Sequence, residues 1–361
     1  MDESDDVDGD DEDDEAPGWV AIDGALAEIY GDTEPLHLAT LVKWRLGGPD
    51  PLDGISAYPR TDPTPHWHFV SYGMTELYAK ESDNADESGW GFELTFRVAR
   101  DPADEQPPGW AASVLQNLGR YVFTTGNWFG PGHHMNLNGP IAVERDDSAI
   151  RAISFVEDPE LGSIDTLHGK VQFLQVVGLT LDELEACQKW NAESLLALLA
   201  PSLPLFVTDI DRPSLLDDPQ LAEAVRAGVD ADGSSVGWLD LTTAEWEQDT
   251  SAGTVTVRVG ALQAPVIADM LRARLPHGRP LVLRADGTTI IFEPADSWES
   301  QELEPGVLKL GIPAATLDDL AATLQPQASR TPVASLPGLT VEIVPTVMKD
   351  EHGNETGEVV G

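Results

Sequence analysis

The clearest pattern of hydrophobic and polar positions lies between Gly91 and Arg100. Every second residue there is apolar, namely Phe92, Leu94, Phe96 and Val98. The residues between them are polar or charged, namely Glu93, Thr95 and Arg97. Because successive side chains of a strand point to opposite faces of its sheet, this period predicts a half-buried strand of an antiparallel or mixed sheet.

A helical period replaces this alternation after Pro107 and Pro108. The next apolar residues share one helical face: Trp110, Val114, Leu115, Leu118, Tyr121 and Val122. Prolines are typical of a helix start, so we predict a helix that ends near Phe123. Other segments with a helical pattern are residues 19–30, 181–199, 220–228, 264–275 and 316–324. Thr180 and Glu183 have the spacing of a capping box for the second of these segments.

The remaining apolar segments predict strands. One of them begins at His66, and the others cover residues 149–156, 170–179, 205–210, 254–259, 307–312 and 339–347. Residues 279–292 predict a hairpin, because Asp286-Gly287 is a strong signal for a two-residue turn. Strands and helices thus alternate in both halves of the chain. This order favours an α/β fold (α+β with mixed sheets) rather than an all-helical or all-β one.

The segment Asp230–Gly237 is polar, rich in glycine and without periodicity, as is typical of a domain boundary. We therefore expect a larger N-terminal domain over residues 18–237 and a smaller C-terminal domain over residues 238–348. Residues 349–361 are polar and are expected to be frayed. A chain of 361 residues is long enough for two such domains.

The chain is strongly acidic, with a net charge of −42. Its first fifteen residues hold eleven acids and no base, which predicts a disordered tail over residues 1–17. Removing those eleven acids from −42 still leaves −31. A polyanion repels nucleic acid and anionic membranes and favours basic partners. Adaptation to a salty cytoplasm explains the same charge.

A single cysteine, Cys187, excludes an internal disulfide framework and a cysteine-rich zinc site, and its place in an amphipathic helix predicts inert burial. The acidic N-terminus has neither a signal peptide nor a transit peptide, and no apolar run reaches the ~20 residues of a membrane-spanning helix. We therefore expect a soluble, cytoplasmic monomer that has no cofactor and does not bind nucleic acid or a membrane.

Two readings of the histidine-rich and aromatic segment between His66 and Ile141 remain open. His66 and His68 would lie about 7 Å apart on one face of a strand, and the adjacent pair His133 and His134 lies in a glycine-rich loop. A metal-dependent enzyme that uses these four histidines is the alternative hypothesis. It needs three or four ligands that converge from fixed directions, which adjacent loop residues do not guarantee. Packing roles for these histidines are favoured.

The second reading concerns the aromatic loop at Trp128 and Phe129. The glycines that follow allow backbone to approach backbone closely. Aromatic residues beside an accessible sheet edge suit the capture of an extended peptide by strand addition, although ordinary packing is an alternative. No G-x-S-x-G elbow is present, and Gly130-Pro131-Gly132 lacks the residues of a phosphate loop. No catalytic signature emerges.

Several long strings resemble the Suppressor of fused family. They are LGGPDPLDGISAY (residues 46–58), HWHFVSYGMTELY (66–78), GFELTFRV (91–98) and LGRYVF (118–123). Weaker similarity follows in FLQVVGL (173–179), TDIDR (208–212), ADGSS (231–235) and LRARLPHGR (271–279). The resemblance extends from about Gly18 to Val347, over nearly the whole expected folded chain.

The resemblance implies a non-enzymatic two-domain α/β protein with a cleft between its domains. In the animal members, the domains close on an extended segment of a transcription factor, which adds as a strand. Carried over to this sequence, the implied partner-binding residues are Tyr121, Phe129, Gly132, His133, Leu271 and His277. His133 departs from the family pattern, because the animal proteins have an aspartate after the loop glycine. Binding of the same peptide is therefore not expected.

The chain resembles a minimal, bacterial-type member, since the long insertion of the animal second domain is absent. Bacterial relatives of this type are expected to include immunity proteins that block toxins. The function predicted from the sequence is therefore a protein-binding module that sequesters or inhibits a partner polypeptide, a basic toxin or a regulator.

Overall fold

The computed structural model describes residues 16–42, 44, 47–349 and 355–361. The predicted acidic tail lies outside these residues apart from Ala16 and Pro17, and Pro17 is already the first residue of a helix. Two compact units are present. The first contains the chain up to Cys187 together with Ala192–Leu221, and the second contains Gln188–Asn191 together with Ala222–Gly361.

The first unit contains α1 (Pro17–Tyr30), α2 (Gly109–Thr125), α4 (Ala192–Leu199) and most of α3 (Leu181–Lys189). Its strands are β1 (Leu36–Ala39), β2 (Gly54–Arg60), β3 (His66–Tyr72), β4 (Glu87–Ala99), β5 (His134–Asn136), β6 (Ala152–Glu157), β7 (Ser163–Thr166) and β8 (Gly169–Leu179). The helix α5 (Pro219–Asp232) starts in the first unit and continues in the second. The segment Asp230–Gly237, which the sequence marked as a boundary, begins inside α5 and continues as a loop.

The eight strands of the first unit form one sheet in the order β1-β2-β3-β4-β8-β6-β5, with β7 also paired to β8. β4 and β8 run parallel, and the other neighbours run antiparallel. The expected mixed sheet is therefore confirmed. The two strands at the ends of this order are β1 and β5.

Both faces of this sheet are covered. The apolar residues of β4 (Phe92, Leu94, Phe96, Val98) pack with Ala111, Leu115, Leu118 and Val122 of α2. On the opposite face, Tyr58, Val70, Tyr72 and Phe173 pack with Ile22 and Leu26 of α1. The helices thus follow their apolar stripes onto the two faces of one sheet.

The expectation that β4 is half-buried is wrong. Glu93, Thr95 and Arg97, which alternate with its apolar residues, have no exposed surface. Hydrogen-bonding partners compensate their burial. Glu93 accepts from the turn after β3, and Thr95 and Arg97 donate to Asp158 in the segment after β6. Asp158 in that segment pairs with Arg97. A period of two therefore identified the strand and its two faces, but not the layer that covers the polar one.

The second unit contains α6 (Ala264–Arg274) and α7 (Leu317–Thr323). Its strands are β9 (Trp238–Asp240), β10 (Ala244–Asp249), β11 (Thr254–Gly260), β12 (Leu281–Ala285), β13 (Thr288–Pro294), β14 (Glu299–Glu304), β15 (Val307–Ile312), β16 (Ser329–Pro332), β17 (Leu339–Val344), β18 (Thr346–Lys349) and β19 (Glu355–Val360). They form two mixed sheets, β10-β11-β17-β16 and β14-β15-β13-β12-β9, and a separate pair, β18-β19. One core cluster joins apolar residues of both larger sheets and both helices. The predicted hairpin at Asp286-Gly287 is confirmed as β12–β13.

Two local expectations need correction. Residues 205–210 do not form a strand: Pro204–Phe206 is a 3-10 helix, Leu205 and Phe206 have positive φ angles, and only an isolated bridge joins Thr208 to Val98. Residues 355–360, expected to be frayed, form β19, which pairs with β18, and Val360 packs against the core of the second unit. Among the described residues, no helix has the length and apolar character needed to cross a membrane.

Candidate partner-binding site

Three aromatic rings stack at the C-terminal end of α2. The ring centroids of Tyr121 and Phe129 are 5.5 Å apart, and those of Phe129 and Phe155 are 4.4 Å apart. Gly126 ends α2 in the left-handed conformation, so the chain turns back and places Phe129 beside Tyr121. Phe129 is only 6% exposed, whereas Tyr121 is half-buried and accepts a hydrogen bond from Asn127. Phe129 therefore supports the surface that Tyr121 presents.

The loop beyond this stack exposes an indole and an imidazole side by side. Trp128 is 61% exposed, and its ring lies 5.4 Å from the ring of His133. A Cβ atom at Gly130 would lie 3.0 Å from the Trp128 ring, so a larger residue there would push the indole away. Trp128 and His133 thus form an exposed aromatic surface on a short, glycine-dependent loop.

Gly132 fixes the path of the chain from this loop into β5. Its φ angle of +81° lies in the left-handed region that favours glycine. Its N–H donates to the Phe155 carbonyl at 2.9 Å, and the Phe155 N–H donates to the His133 carbonyl at 3.0 Å. The loop is therefore anchored to β6 by the backbone, directly behind the stacked Phe155 ring.

The outer edge of β5, next to this aromatic surface, pairs with no other strand in the described part of the chain. Two backbone hydrogen bonds show which residue pairs are bonded where β5 meets β6. The Phe155 N–H donates to the His133 carbonyl, and the Leu137 N–H donates to the Arg151 carbonyl. Because such pairs alternate along an antiparallel ladder, the backbone groups of His134 and Asn136 point away from β6. β5 is the last strand of the sheet, so these groups form an edge that another strand can pair with.

The two site residues predicted in the second unit lie in different environments. Leu271 lies on α6, has no exposed surface and packs in the core. His277 is half-buried in the 3-10 helix that follows α6, and a Cβ atom at Gly233 would lie 2.4 Å from its ring. His277 is therefore the one of the two with accessible surface. The partner-binding roles of all six predicted residues remain predictions.

The structure does not bring the four candidate metal ligands together. His66 and His68 lie on β3, whereas His134 lies on β5, which is four positions away in the sheet order. Four strand spacings correspond to ~19 Å. Within the described residues, no group of three or more His, Cys, Asp or Glu side chains is arranged to hold a metal. The histidine site of the alternative hypothesis is therefore not formed.

His66 and His68 are instead buried members of a core strand, as the favoured reading predicted. The Tyr30 hydroxyl lies 2.6 Å from His68 Nδ1, and His68 Nε2 lies 3.2 Å from Asp158 Oδ2. Burial and the nearby Arg97 guanidinium lower the pKa of His68 to about 4. Burial opposes the charge on Asp158, but His68 and Arg97 outweigh that effect and hold its pKa far below the usual range. His68 is therefore neutral and Asp158 ionised near pH 7.

Glu93 is the second buried charged group that the sequence pattern placed in solvent. Its carboxylate accepts five hydrogen bonds, from the Ser71 and Thr75 hydroxyls and from the N–H groups of Gly73, Met74 and Thr75. Burial raises its pKa, against the effect of these donors. The side chain thus holds the turn after β3 in place, since an unsatisfied buried donor costs ~1–3 kcal/mol.

Comparisons with known proteins identify the class to which this mixed α/β fold belongs. The family model described as Suppressor of fused protein matches residues 48–213. The human Suppressor of fused homolog is 35% identical over an alignment of 286 residues that covers 72% of this chain and 59% of the human protein. This chain therefore spans less than two thirds of the length of that relative.

Two solved structures are similar. The crystal structure of Drosophila Suppressor of Fused has a TM-score of 0.77 and 22% identity, and the match covers 91% of this chain and 97% of that chain, which shows the shared fold. A chain of a Sufu–Fu complex has a TM-score of 0.55 and 33% identity, over 58% of this chain and 97% of that chain. The chain belongs to the Suppressor of fused family, as the sequence strings indicated.

Proposed function

We propose that this chain is a non-enzymatic protein-binding module that captures an extended polypeptide segment as an added strand on β5. The observation that carries this proposal is the outward direction of the His134 and Asn136 backbone groups at the end of the sheet. An incoming strand would gain main-chain hydrogen bonds there. The exposed Trp128 and His133 rings beside the edge would contact its side chains.

The comparisons support a binding role through one relative, because the solved Sufu–Fu structure is a complex of that relative with another protein. We extend this to the present chain as part of the proposal. The captured polypeptide is sequestered or inhibited while it is bound. The net charge of −42 supports a basic partner, such as a toxin that an immunity protein blocks or a basic regulator.

A proline substitution tests the strand addition directly. Peptides that bind the full chain are first selected from a displayed library of linear sequences. His134→Pro then removes an outward N–H, whereas the β5–β6 ladder keeps its bonds from Leu137 and Phe155. We expect this change to weaken the selected peptides at least about tenfold, because it removes one main-chain bond and blocks the edge.

The matched control is His134→Ala, which removes the imidazole and keeps the N–H. It should bind the peptides within about threefold of the original chain. Thermal melting of both variants checks that the sheet remains folded. Equal affinity of His134→Pro and His134→Ala would contradict capture at β5. Failure to enrich any peptide on the full chain would contradict the binding role itself.

The basic character of the partner has a separate test. Selected peptides should carry a net positive charge, and their affinity should fall as sodium chloride rises, because salt screens attraction between opposite charges. Neutral or acidic peptides with no salt dependence would remove the electrostatic part of the proposal and leave the strand addition intact.

A further inference from the structure

The first unit contains a cavity of about 520 Å³ that neither β5 nor the loop before it lines. Its described lining residues come from the segment before β2, the turn after β3, the start of β4 and the end of α2. Pro51 and Asp53 belong to the string LGGPDPLDGISAY, residues 73–78 to HWHFVSYGMTELY, and Phe123 to LGRYVF. Residues from three of the family-like strings therefore meet at this cavity.

Aromatic rings form much of its wall. Phe123 lies between two indoles, with ring centroids 5.7 Å from Trp44 and 5.7 Å from Trp90. The interplanar angles are 67° and 61°, so these rings meet edge to face and are inclined to one another. Tyr78 contributes a fourth ring and donates its hydroxyl hydrogen to Asp53 at 2.9 Å. The rings that line the cavity therefore differ in inclination and do not form one flat stack.

An irregularity in β4 directs Trp90 to this wall. The register of β4 with β8 shifts between Glu87 and Phe92, and the glycines on either side of Trp90 have φ angles of +54° and +82°. A Cβ atom at Gly89 would lie 2.8 Å from the Met74 carbonyl oxygen, so the close approach to the turn needs glycine. Bulges of this kind re-aim a side chain and are frequent near functional sites.

The charged side chains among the described lining residues are carboxylates: Asp53, Glu76 and Glu81. Burial opposes ionisation of Glu76, but the Lys80 ammonium and the N–H groups of Ser82, Glu81 and Gly89 outweigh it and lower its pKa to about 2. Lys80 compensates part of this charge, at 2.9 Å from Glu76. Glu81 is exposed at the rim. Glu81 therefore places a negative charge at the rim, beside the aromatic wall.

The turn that forms one side of the cavity is fixed before any ligand arrives. Glu93 binds the N–H groups of Gly73, Met74 and Thr75 from inside the sheet. All three of these residues line the cavity. A fixed wall lowers the conformational cost of binding, so the cavity is suited to a small group of defined shape.

We propose that this cavity binds a quaternary ammonium group through the faces of Trp44, Trp90 and Phe123, with the Glu81 carboxylate at the rim balancing its charge. A cation covered by methyl groups is attracted to aromatic faces and loses little hydration when water is excluded. A primary ammonium would lose its hydrogen bonds to water, and a neutral apolar group would gain nothing from the Glu81 carboxylate. The ligand is either a free small molecule or a trimethyllysine side chain of another protein.

Calorimetric titration of the full chain with choline tests the proposal. The neutral control is the dimethylbutanol isomer in which a quaternary carbon replaces the nitrogen of choline. We expect saturable binding of choline and at least about tenfold weaker binding of dimethylbutanol. Trp44→Ala should weaken choline about tenfold, and Glu81→Gln about threefold. Both positions are partly or fully exposed, so the fold should persist.

Trp238→Ala is the matched control for the loss of an indole. Trp238 is 56% exposed in the second unit and already lies near a cation, Arg284, at 5.1 Å. This change should leave choline binding unaltered. A peptide with trimethyllysine and the same peptide with lysine distinguish the two sources. Tighter binding of the methylated peptide than of choline indicates a protein ligand, and equal binding indicates a small molecule.

Three results would overturn the proposal. Dimethylbutanol that binds as tightly as choline would show an apolar cavity with no preference for a cation. Choline binding that Trp44→Ala leaves unchanged would place the ligand elsewhere. Absence of saturable binding of both choline and the methylated peptide would remove the site.

Discussion

Arg97 and Asp158 form an ion pair in which neither side chain has any exposed surface. Arg97 Nη1 lies 2.6 Å from Asp158 Oδ2. Gln175 accepts a further hydrogen bond from Arg97, and Glu160 lies 2.9 Å from its Nη2. The pair joins β4 to the segment after β6 on the face that α1 covers. Loss of either partner should strongly destabilise the fold, because the other charge would remain unpaired in a medium of low polarity.

Asp158→Asn should therefore lower the free energy of unfolding by about 3 kcal/mol, the lower end of the range for a broken buried pair, since Glu160 still offsets part of the Arg97 charge. Urea denaturation of both proteins measures the difference. The control is Asp211→Asn, which breaks the contact of Arg145 with a 64% exposed aspartate and should leave the urea midpoint unchanged. Equal midpoints for the original chain and Asp158→Asn would show that the pair does not stabilise the fold.

The burial of this pair could not be predicted from the sequence. The strand β4, its two faces and its place in a mixed sheet follow from a local period of two. The burial of Arg97 depends on Asp158, which is 61 residues away in the chain, and on α1, which covers that face. No local pattern encodes such a distant partner. Two charged residues inside a strand that also carries four apolar ones are a weak signal of a buried polar network.

The candidate site shows the same limit. The glycines and aromatics of residues 121–134 indicated a loop beside a sheet edge, and β5 lies there. The sequence did not distinguish Phe129, which is buried, from Trp128, which is exposed. The cavity at Trp44, Trp90 and Phe123 was also missed, because its walls come from four separate segments. The two glycines around Trp90 were the signal that a bulge interrupts the strand there.

The lowered pKa of His68 predicts how the free energy of unfolding depends on pH. Unfolded histidine takes up a proton near pH 6.5, whereas folded His68 stays neutral until about pH 4. Its contribution to stability is therefore complete above pH 6.5 and is lost as the pH falls towards 4. The loss should reach about 3 kcal/mol in urea denaturation between these two pH values.

The control for this effect is His68→Gln, which has no titrating group. Its stability should fall less steeply over the same pH range. A smaller slope will remain, because burial also lowers the pKa of His37, His66 and His134. Identical slopes for the original chain and His68→Gln would show that His68 is not the source.

Alanine substitutions of Phe129 and Trp128 should have different effects, the first on stability and the second on binding. Phe129→Ala removes a ring that is 6% exposed and stacks on Phe155, so it should cost ~3–5 kcal/mol of stability in urea denaturation. Trp128→Ala removes a 61% exposed ring and should leave the urea midpoint unchanged. It should still weaken a partner bound at β5, by about tenfold where the indole is a main contact. A large loss of stability in Trp128→Ala would show that its ring supports the fold.

Gly132→Ala should destabilise the turn into β5. The φ angle of +81° is unfavourable for alanine, and the new Cβ would lie 3.3 Å from Glu193 Cγ. We expect a loss of ~1–2 kcal/mol in the free energy of unfolding. Gly139→Ala is the matched control, because a Cβ there meets nothing within 4 Å. The prediction fails where both variants unfold at the same urea concentration.

The net charge of −42 predicts that salt stabilises the chain. Like charges on the folded protein repel one another more strongly than in the expanded, unfolded chain, and this repulsion is screened beyond ~10 Å at 0.1 M salt and beyond ~3 Å at 1 M. The urea midpoint should therefore rise as sodium chloride is added. Urea is the suitable denaturant, because guanidinium chloride is itself a salt. A midpoint that stays level or falls with salt would show that exposed ion pairs, such as Arg258 with Glu245, outweigh the repulsion. The acidic surface would then be better explained by a basic partner than by adaptation to salt.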